Sequence, residues 1–149
     1  MRLVIQRVTQ AKVEIDGRLV GQCAKGFLIL VGAQAGDTME DVTYCVEKAV
    51  NLRVFEDDAG KMNRSILDIG GSVLAISQFT LLGDARHGRR PSFIDAERPE
   101  HASPLYDAFC QGLCAHAIHT EKGVFGADMQ VSLTNDGPVT LLIDSKKVF

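Results

Sequence analysis

A chain of 149 residues, 46% hydrophobic and 23% charged, has the makeup of one globular domain, residues 1–149. It is long enough to bury a core that needs no staples. The formal net charge of −3 argues against a general nucleic-acid coat protein, while leaving room for a local basic patch. No apolar run approaches the roughly 20 residues a membrane span requires, and Met1–Arg7 enters a strand pattern without a signal peptide's apolar core, so the expected compartment is the cytoplasm.

Leu3–Val8 and Ala11–Ile15 are predicted strands. In the first, Leu3, Ile5 and Arg7 share a face, so an arginine closes an apolar row. Its bland reading is an edge charge reaching solvent, but its place in an apolar row is unusual. Asp16-Gly17 turns the chain into Arg18–Cys23, and Phe27–Val31 is apolar throughout, as in a central strand buried on both faces. Gly36-Asp37-Thr38 opens a helix, with Asp37 or Thr38 as cap and Glu40 and Asp41 in the first turn. Val42, Cys45, Val46, Ala49 and Val50 form its apolar stripe. A short strand is expected at Leu52–Phe55 and a charged turn at Glu56–Lys61.

Val73–Ile76 is buried-strand material running into Ser77-Gln78-Phe79-Thr80-Leu81-Leu82. Hydrogen-bonding side chains at the end of a core strand suit a functional rim, and equally a strand leaving its core. The segment from Asp84 to Phe93 holds Arg86, His87, Arg89 and Arg90 in an otherwise acidic chain. It fits a phosphate-gripping loop or plain surface charge. Ser103-Pro104 reads as the start of a second helix, with Leu105, Ala108, Phe109 and Leu113 as its stripe. Thr120–Ala127 reads as an irregular link. Met129–Thr134 and Val139–Ile143 then read as a strand pair joined at Asn135-Asp136-Gly137-Pro138. A plain hairpin gains little from that proline, which removes an N–H and confines its neighbour.

Familiar catalytic signatures are missing: no G-x-S-x-G, H-E-x-x-H, G-x-x-x-x-G-K-[ST] or G-x-G-x-x-G occurs. None of the four His has an evident Ser, Cys or carboxylate partner. Cys110, Cys114, His116 and His119 lie close in sequence and define a metal-dependent hydrolase as a rival reading, although their spacing is unlike common ligand sets. Cys23 and Cys45 read as small buried hydrophobes, and neither disulfides nor a cofactor are expected. An enzyme of this composition works by positioning and backbone donors. A non-enzymatic nucleic-acid-binding module is the alternative, though 6% aromatics and no Trp offer few stacking platforms.

Ser77-Gln78-Phe79-Thr80-Leu81 and Asn135-Asp136-Gly137-Pro138-Val139-Thr140 together resemble the signatures of the D-aminoacyl-tRNA deacylase family. The likeness extends to Gln6-Arg7-Val8, Asn51–Phe55, Gly60–Asn63, Gly88–Phe93 and Phe125–Met129. It implies an α+β fold, a compact, mainly antiparallel, barrel-like sheet with two flanking helices. It also implies a homodimer with its active site at the subunit interface, and hydrolysis of the ester joining a D-amino acid to tRNA. Gly137 and Pro138, joined by a cis peptide, would enter the partner's pocket as a chiral filter braced by Arg7. Ser77, Gln78, Phe79 and Thr80 would line the catalytic pocket, and Arg86, Arg89 and Arg90 would meet tRNA. Glycine has no Cβ to reject, so mischarged glycyl-tRNA(Ala) is an expected substrate. The chain departs from the family pattern at Lys122-Gly123, where Thr-Gly is usual, and at His87, where Lys is common. Both departures bear on tRNA contacts or loop shape rather than on the reaction.

Overall fold

A computed structural model describes residues 1–149. Strands β1 (Arg2–Ile15), β2 (Arg18–Cys23) and β3 (Gly26–Gly32) precede helix α1 (Met39–Asn51). A small ribbon, β4 (Phe55–Glu56) with β5 (Met62–Arg64), leads to β6 (Ser72–Ser77) and a 3₁₀ turn at Phe79–Leu82. Helix α2 (Pro99–Ala115), β7 (His119–Lys122) and β8 (Gln130–Asp144) complete the chain.

Everything is hung on β1. Its first half pairs antiparallel with β3 and its second half with β2, while β8 runs antiparallel along the other edge. The β3–β6 and β6–β7 pairings are parallel, so each needs a crossover, supplied by α1 and α2 respectively. Sheet curl brings β2 to β7, where the Gln22 N–H donates to the Glu121 carboxylate at 2.8 Å. The result is a mixed α+β fold with a nearly closed, barrel-like sheet. No helix is long and apolar enough to cross a membrane.

Two predicted strands prove to be one. Val8 pairs with Asn135 and Gln10 with Thr134, so Thr9 is an extra residue in β1. A bulge shifts alternation by one. Before it, Leu3 and Ile5 face the helices; after it, Ala11 and Val13 join Val8 inside the curl. That is why the apolar pattern breaks at Thr9-Gln10 without ending the strand. Phe27 and Ile29 face α1 and α2 while Leu28 faces the curl, so β3 is buried on both faces as its continuous apolar run predicts.

Thr38 caps α1: its hydroxyl accepts the Glu40 N–H at 3.3 Å, and the Asp41 carboxylate accepts the Thr38 N–H at 2.8 Å. Asp37 is drawn elsewhere. Its buried carboxylate pairs with the Met1 amino group at 2.6 Å and accepts the Gln34 N–H at 2.7 Å. Burial pushes the Asp41 carboxyl up, but hydrogen bonds from Lys146 and Ser145 outweigh this and hold it well below the usual range.

Four expectations are corrected. Helix α2 starts at Pro99, not Ser103-Pro104. Pro99 takes the first-turn place, and Pro104 sits inside the helix, where it leaves only the carbonyl of exposed Glu100 to water. The buried stripe accordingly begins at Ala102 and Tyr106. The ribbon strand β4 is Phe55–Glu56, not Leu52–Phe55. The link after α2 contains β7, whose short polar sequence carries no strand signal. The terminal hairpin does not exist: Gln130–Asp144 is one strand, both halves of which pair with β1 rather than with each other.

Candidate functional site

The site is built from the end of β6. Ser77 is its last residue, and the Gln78 N–H donates to the Val31 carbonyl at 2.7 Å, carrying the strand's direction into the 3₁₀ turn. The turn lies directly on Gly32. A Cβ there would stand 2.6 Å from Leu82 Cδ2 and 2.9 Å from the Gln78 carbonyl oxygen, so only glycine permits the approach.

Beside this strand end opens a cavity of about 650 Å³, within the range of roughly 300–1,000 Å³ usual for small-molecule sites. Ser77, Gln78 and Phe79 line it, with Phe93, Glu97 and Tyr106 and the Phe125–Met129 segment. The Phe79 and Phe93 rings meet edge to face, centroids 5.1 Å apart, and both stay partly exposed. The Tyr106 hydroxyl donates to the Ala75 carbonyl at 2.9 Å, and burial pushes its pKa up. Glu97 accepts the Gly36 N–H at 3.0 Å and the Arg98 N–H at 2.7 Å. These bonds hold its carboxyl below the usual range. Glu97 therefore ties the loop before α2 to the loop before α1.

Thr80 does not line the cavity. Its hydroxyl oxygen accepts a hydrogen bond from Gln78 Nε2 at 2.5 Å, and no carboxylate or imidazole bonds to it. A hydroxyl so placed lacks the neighbouring base that activates a nucleophile.

Gly137 and Pro138 lie elsewhere on the same subunit, absent from this cavity and exposed. Between Thr140 opposite Gln6 and Asn135 opposite Val8, β8 spends four residues against Arg7 alone on β1, so the Gly-Pro segment projects as a wide bulge. The Gly137–Pro138 peptide is cis, and Gly137 has φ +124°. A Cβ on Gly137 would meet Arg7 Nη2 at 2.9 Å. Arg7 holds the projection from behind. Its Nε donates to the Asp136 carbonyl at 3.1 Å and its Nη1 to the Val54 carbonyl at 2.6 Å. The Asp136 carboxylate lies 3.3 Å from Nε. At 6% exposure, Arg7 is no edge charge reaching solvent. Asn135 closes the base of the bulge, its amide donating to the Arg7 carbonyl at 2.9 Å and the Val139 carbonyl at 3.0 Å.

The basic loop is pinched shut by paired main-chain bonds between Asp84 and Ser92, 2.7 and 2.8 Å long. Arg86 is already occupied, since its Nε and Nη2 reach the two Asp84 oxygens at 2.9 and 2.7 Å. Those bonds hold the Asp84 carboxyl down to about 2. Arg89 and Arg90 are exposed and have no ion-pair partner.

The cysteine–histidine group does not converge. Cys110 is buried, Cys114 exposed, His116 faces Glu47 and His119 faces Glu121. No set of three His, Cys, Asp or Glu is arranged to hold a metal ion. Sequence reasoning missed Asn135 as the clasp of the bulge, and Glu97, Tyr106 and Asp128 as parts of the cavity. Asp128 lies in a segment already matched to the family; Glu97 and Tyr106 carry no local signal.

The family described as D-Tyr-tRNA(Tyr) deacylase matches residues 4–144. A protein of Thermus aquaticus named D-aminoacyl-tRNA deacylase is 58% identical over 147 residues, 99% of this chain and 97% of its own. One of the same name from Fervidobacterium nodosum is 55% identical over the full length of both. Among solved structures, a c-Myc DNA Unwinding Element Binding Protein superposes with TM-score 0.90 at 37% identity, covering 97% of this chain and 98% of that one. A probable eukaryotic D-amino acid tRNA deacylase shares the fold, with TM-score 0.80 at 16% identity over 95% and 97%. A full-length match of this kind, on a chain whose signature segments form a cavity mouth and a braced projection, leads to one conclusion: the chain belongs to the D-Tyr-tRNA(Tyr) deacylase family.

Proposed function

We propose that the protein hydrolyses the ester bond of D-aminoacyl-tRNA, releasing the D-amino acid and tRNA, and spares L-aminoacyl-tRNA. The observation that carries this reading is the Ser77–Phe79 rim of a nucleoside-sized cavity in a chain of this family. The terminal adenosine occupies the cavity, with the scissile ester at Ser77–Thr80. Backbone N–H groups of this segment other than that of Gln78, which already donates to the Val31 carbonyl, stabilise the tetrahedral oxyanion. Water attacks with help from the neighbouring 2′-OH of the tRNA, while Thr80 positions. The Gln78–Thr80 bond supports that division, because a hydroxyl oxygen accepting a hydrogen bond is a poorer nucleophile.

Gly137 and Pro138 act as the chiral filter in a homodimer, each subunit's projection entering its partner's cavity. Their exposure and their absence from their own cavity support an arrangement across a two-fold axis. A D-residue turns its side chain away from this main-chain wedge, whereas an L-residue collides with it. Glycine passes, so glycyl-tRNA(Ala) is also cleaved. Arg89 and Arg90 meet tRNA phosphates, and Arg86, through Asp84, shapes the loop that carries them. The reaction takes place in the cytoplasm, where aminoacyl-tRNA is made.

The test is release of amino acid from D-Tyr-tRNA, L-Tyr-tRNA and glycyl-tRNA(Ala) by purified protein. Hydrolysis of the D- and glycyl forms alone is expected; equal rates on D and L would sink the filter. The name of the 37% identical neighbour and the free Arg89 and Arg90 favour a second reading, nucleic-acid binding without catalysis. RNA binding with no hydrolysis of any aminoacyl-tRNA is the outcome that reading requires.

A further inference from the structure

The 3₁₀ turn that follows Gln78 is fastened at two ends by different means. Its entry is tied by main chain, Gln78 N–H to the Val31 carbonyl. Two carbonyls are satisfied locally, that of Gln78 by the Leu81 N–H and that of Thr80 by the Gly83 N–H. The Leu81 carbonyl is held from outside. Arg2 Nη1 donates to it at 2.8 Å, while Arg2 Nε donates to the buried Asp144 carboxylate at 3.0 Å. Arg2 stands opposite Gly32 on one side and Asp144 on the other, and the Phe149 ring covers its guanidinium at 5.3 Å. No other side chain outside the turn donates to the turn's carbonyls.

We infer that Arg2 is a positioning residue for hydrolysis, clamping the exit of the catalytic turn to the β1–β8 sheet edge through the Leu81 carbonyl. This rests on the assignment of Ser77–Thr80 as the reacting segment. A rigid guanidinium fork spans two acceptors on separate elements at fixed geometry, which a lysine ammonium on a flexible stem does not reproduce. With the clamp gone, the turn keeps its entry bond and the Leu82 packing over Gly32 but loses its far anchor. The N–H groups aimed at the ester then wander, and misplacement of about 1 Å is worth roughly 100-fold in rate.

The experiment measures kcat and KM on D-Tyr-tRNA, with thermal unfolding, for Arg2→Ala, Arg2→Lys and Gln78→Ala. Arg2→Ala is expected to lower kcat about 10- to 100-fold with KM within roughly threefold, as for an interaction that matters in the transition state. Added guanidinium ion is expected to restore at least about tenfold, which a residue serving stability alone would not show. Arg2→Lys, which keeps a cation against Asp144 but not both bonds, is expected to lose kcat as well. It decides the matter should the alanine variant fail to fold. Wild-type kcat in the Arg2 variants beside an inactive Gln78→Ala overturns the clamp and leaves the site standing. Wild-type kcat in all three overturns the site assignment and the clamp together.

Discussion

Removing the Arg7 guanidinium tests the braced projection most directly. Arg7→Ala deletes two charge-assisted hydrogen bonds, to the Val54 carbonyl at 2.6 Å and the Asp136 carbonyl at 3.1 Å. The consequences differ at the two ends. Val54 is buried, so its carbonyl is left without a donor, at a penalty of about 1–3 kcal/mol. At the other end Nε also loses its ion pair with the Asp136 carboxylate, which is 37% exposed and rehydrates, so that loss adds only about 0–1 kcal/mol. Lost packing of the arginine stem brings the total to roughly 2–4 kcal/mol. For a domain of this size that lowers Tm by about 5–15 °C. Arg7→Lys, able to reach one carbonyl but not both, is expected to fall between. The second readout is the ratio of deacylation rates on D-Tyr-tRNA and L-Tyr-tRNA, since under the proposed filter role a projection without its brace no longer excludes the L-form sharply. A drop of at least tenfold, about 1.4 kcal/mol, is expected. A Tm within about 2 °C of wild type together with an unchanged D-to-L ratio would refute the reasoning.

Thr80→Ala is expected to keep at least about a tenth of kcat, measured under saturating D-Tyr-tRNA; a loss of roughly 10⁴-fold with binding intact would mark a covalent nucleophile. Arg89→Ala and Arg90→Ala are each expected to reduce the slope of log K against log salt for tRNA binding by about 0.7–0.9. Arg86→Ala should change that slope less, because Asp84 already neutralises its charge; three equal effects would contradict the occupied Arg86. Asp41 has a folded pKa below its ordinary value of 3.8. Its contribution to stability is therefore full above that value and is lost as pH falls below it toward the folded pKa. Urea midpoints from pH 6 to pH 3 should drop more steeply for wild type than for Asp41→Asn, and parallel curves would remove Asp41 from the acid response.

Much of the architecture was legible because local signals and burial agreed. Thr38, one of two caps offered at the start of α1, closes a capping box with Asp41, and Phe27–Val31 is apolar because neither face of β3 meets water. Where signals competed, context won. Ser103-Pro104 is a valid helix start, but Pro99 supplies an earlier one and the apolar stripe extends back to Ala102. Met129–Ile143 looks like a hairpin because a turn sequence separates two apolar runs. Strand β1 offers a continuous edge to both halves, so the turn residues become a bulge instead of a reversal.

The sequence by itself determined most of the elements, though neither β7 nor the continuity of β1 and β8, together with the two-faced burial of the central strands and the family, since these are written in composition, period and contiguous motifs. It also flagged Arg7, a cation closing an apolar row. Only the tertiary structure decided what such residues do. Arg7 meets Val54 and Asp136, Arg2 meets Leu81, and Glu97 meets Gly36, each partner at least 47 positions away along the chain. Hydrogen bonds between residues so distant leave no periodic trace, because register and sheet curl bring them together. The Gly-Pro segment shows the division most plainly: its rigidity is written in two residues, but its direction is set by a bulge against β1 and a buried arginine behind it.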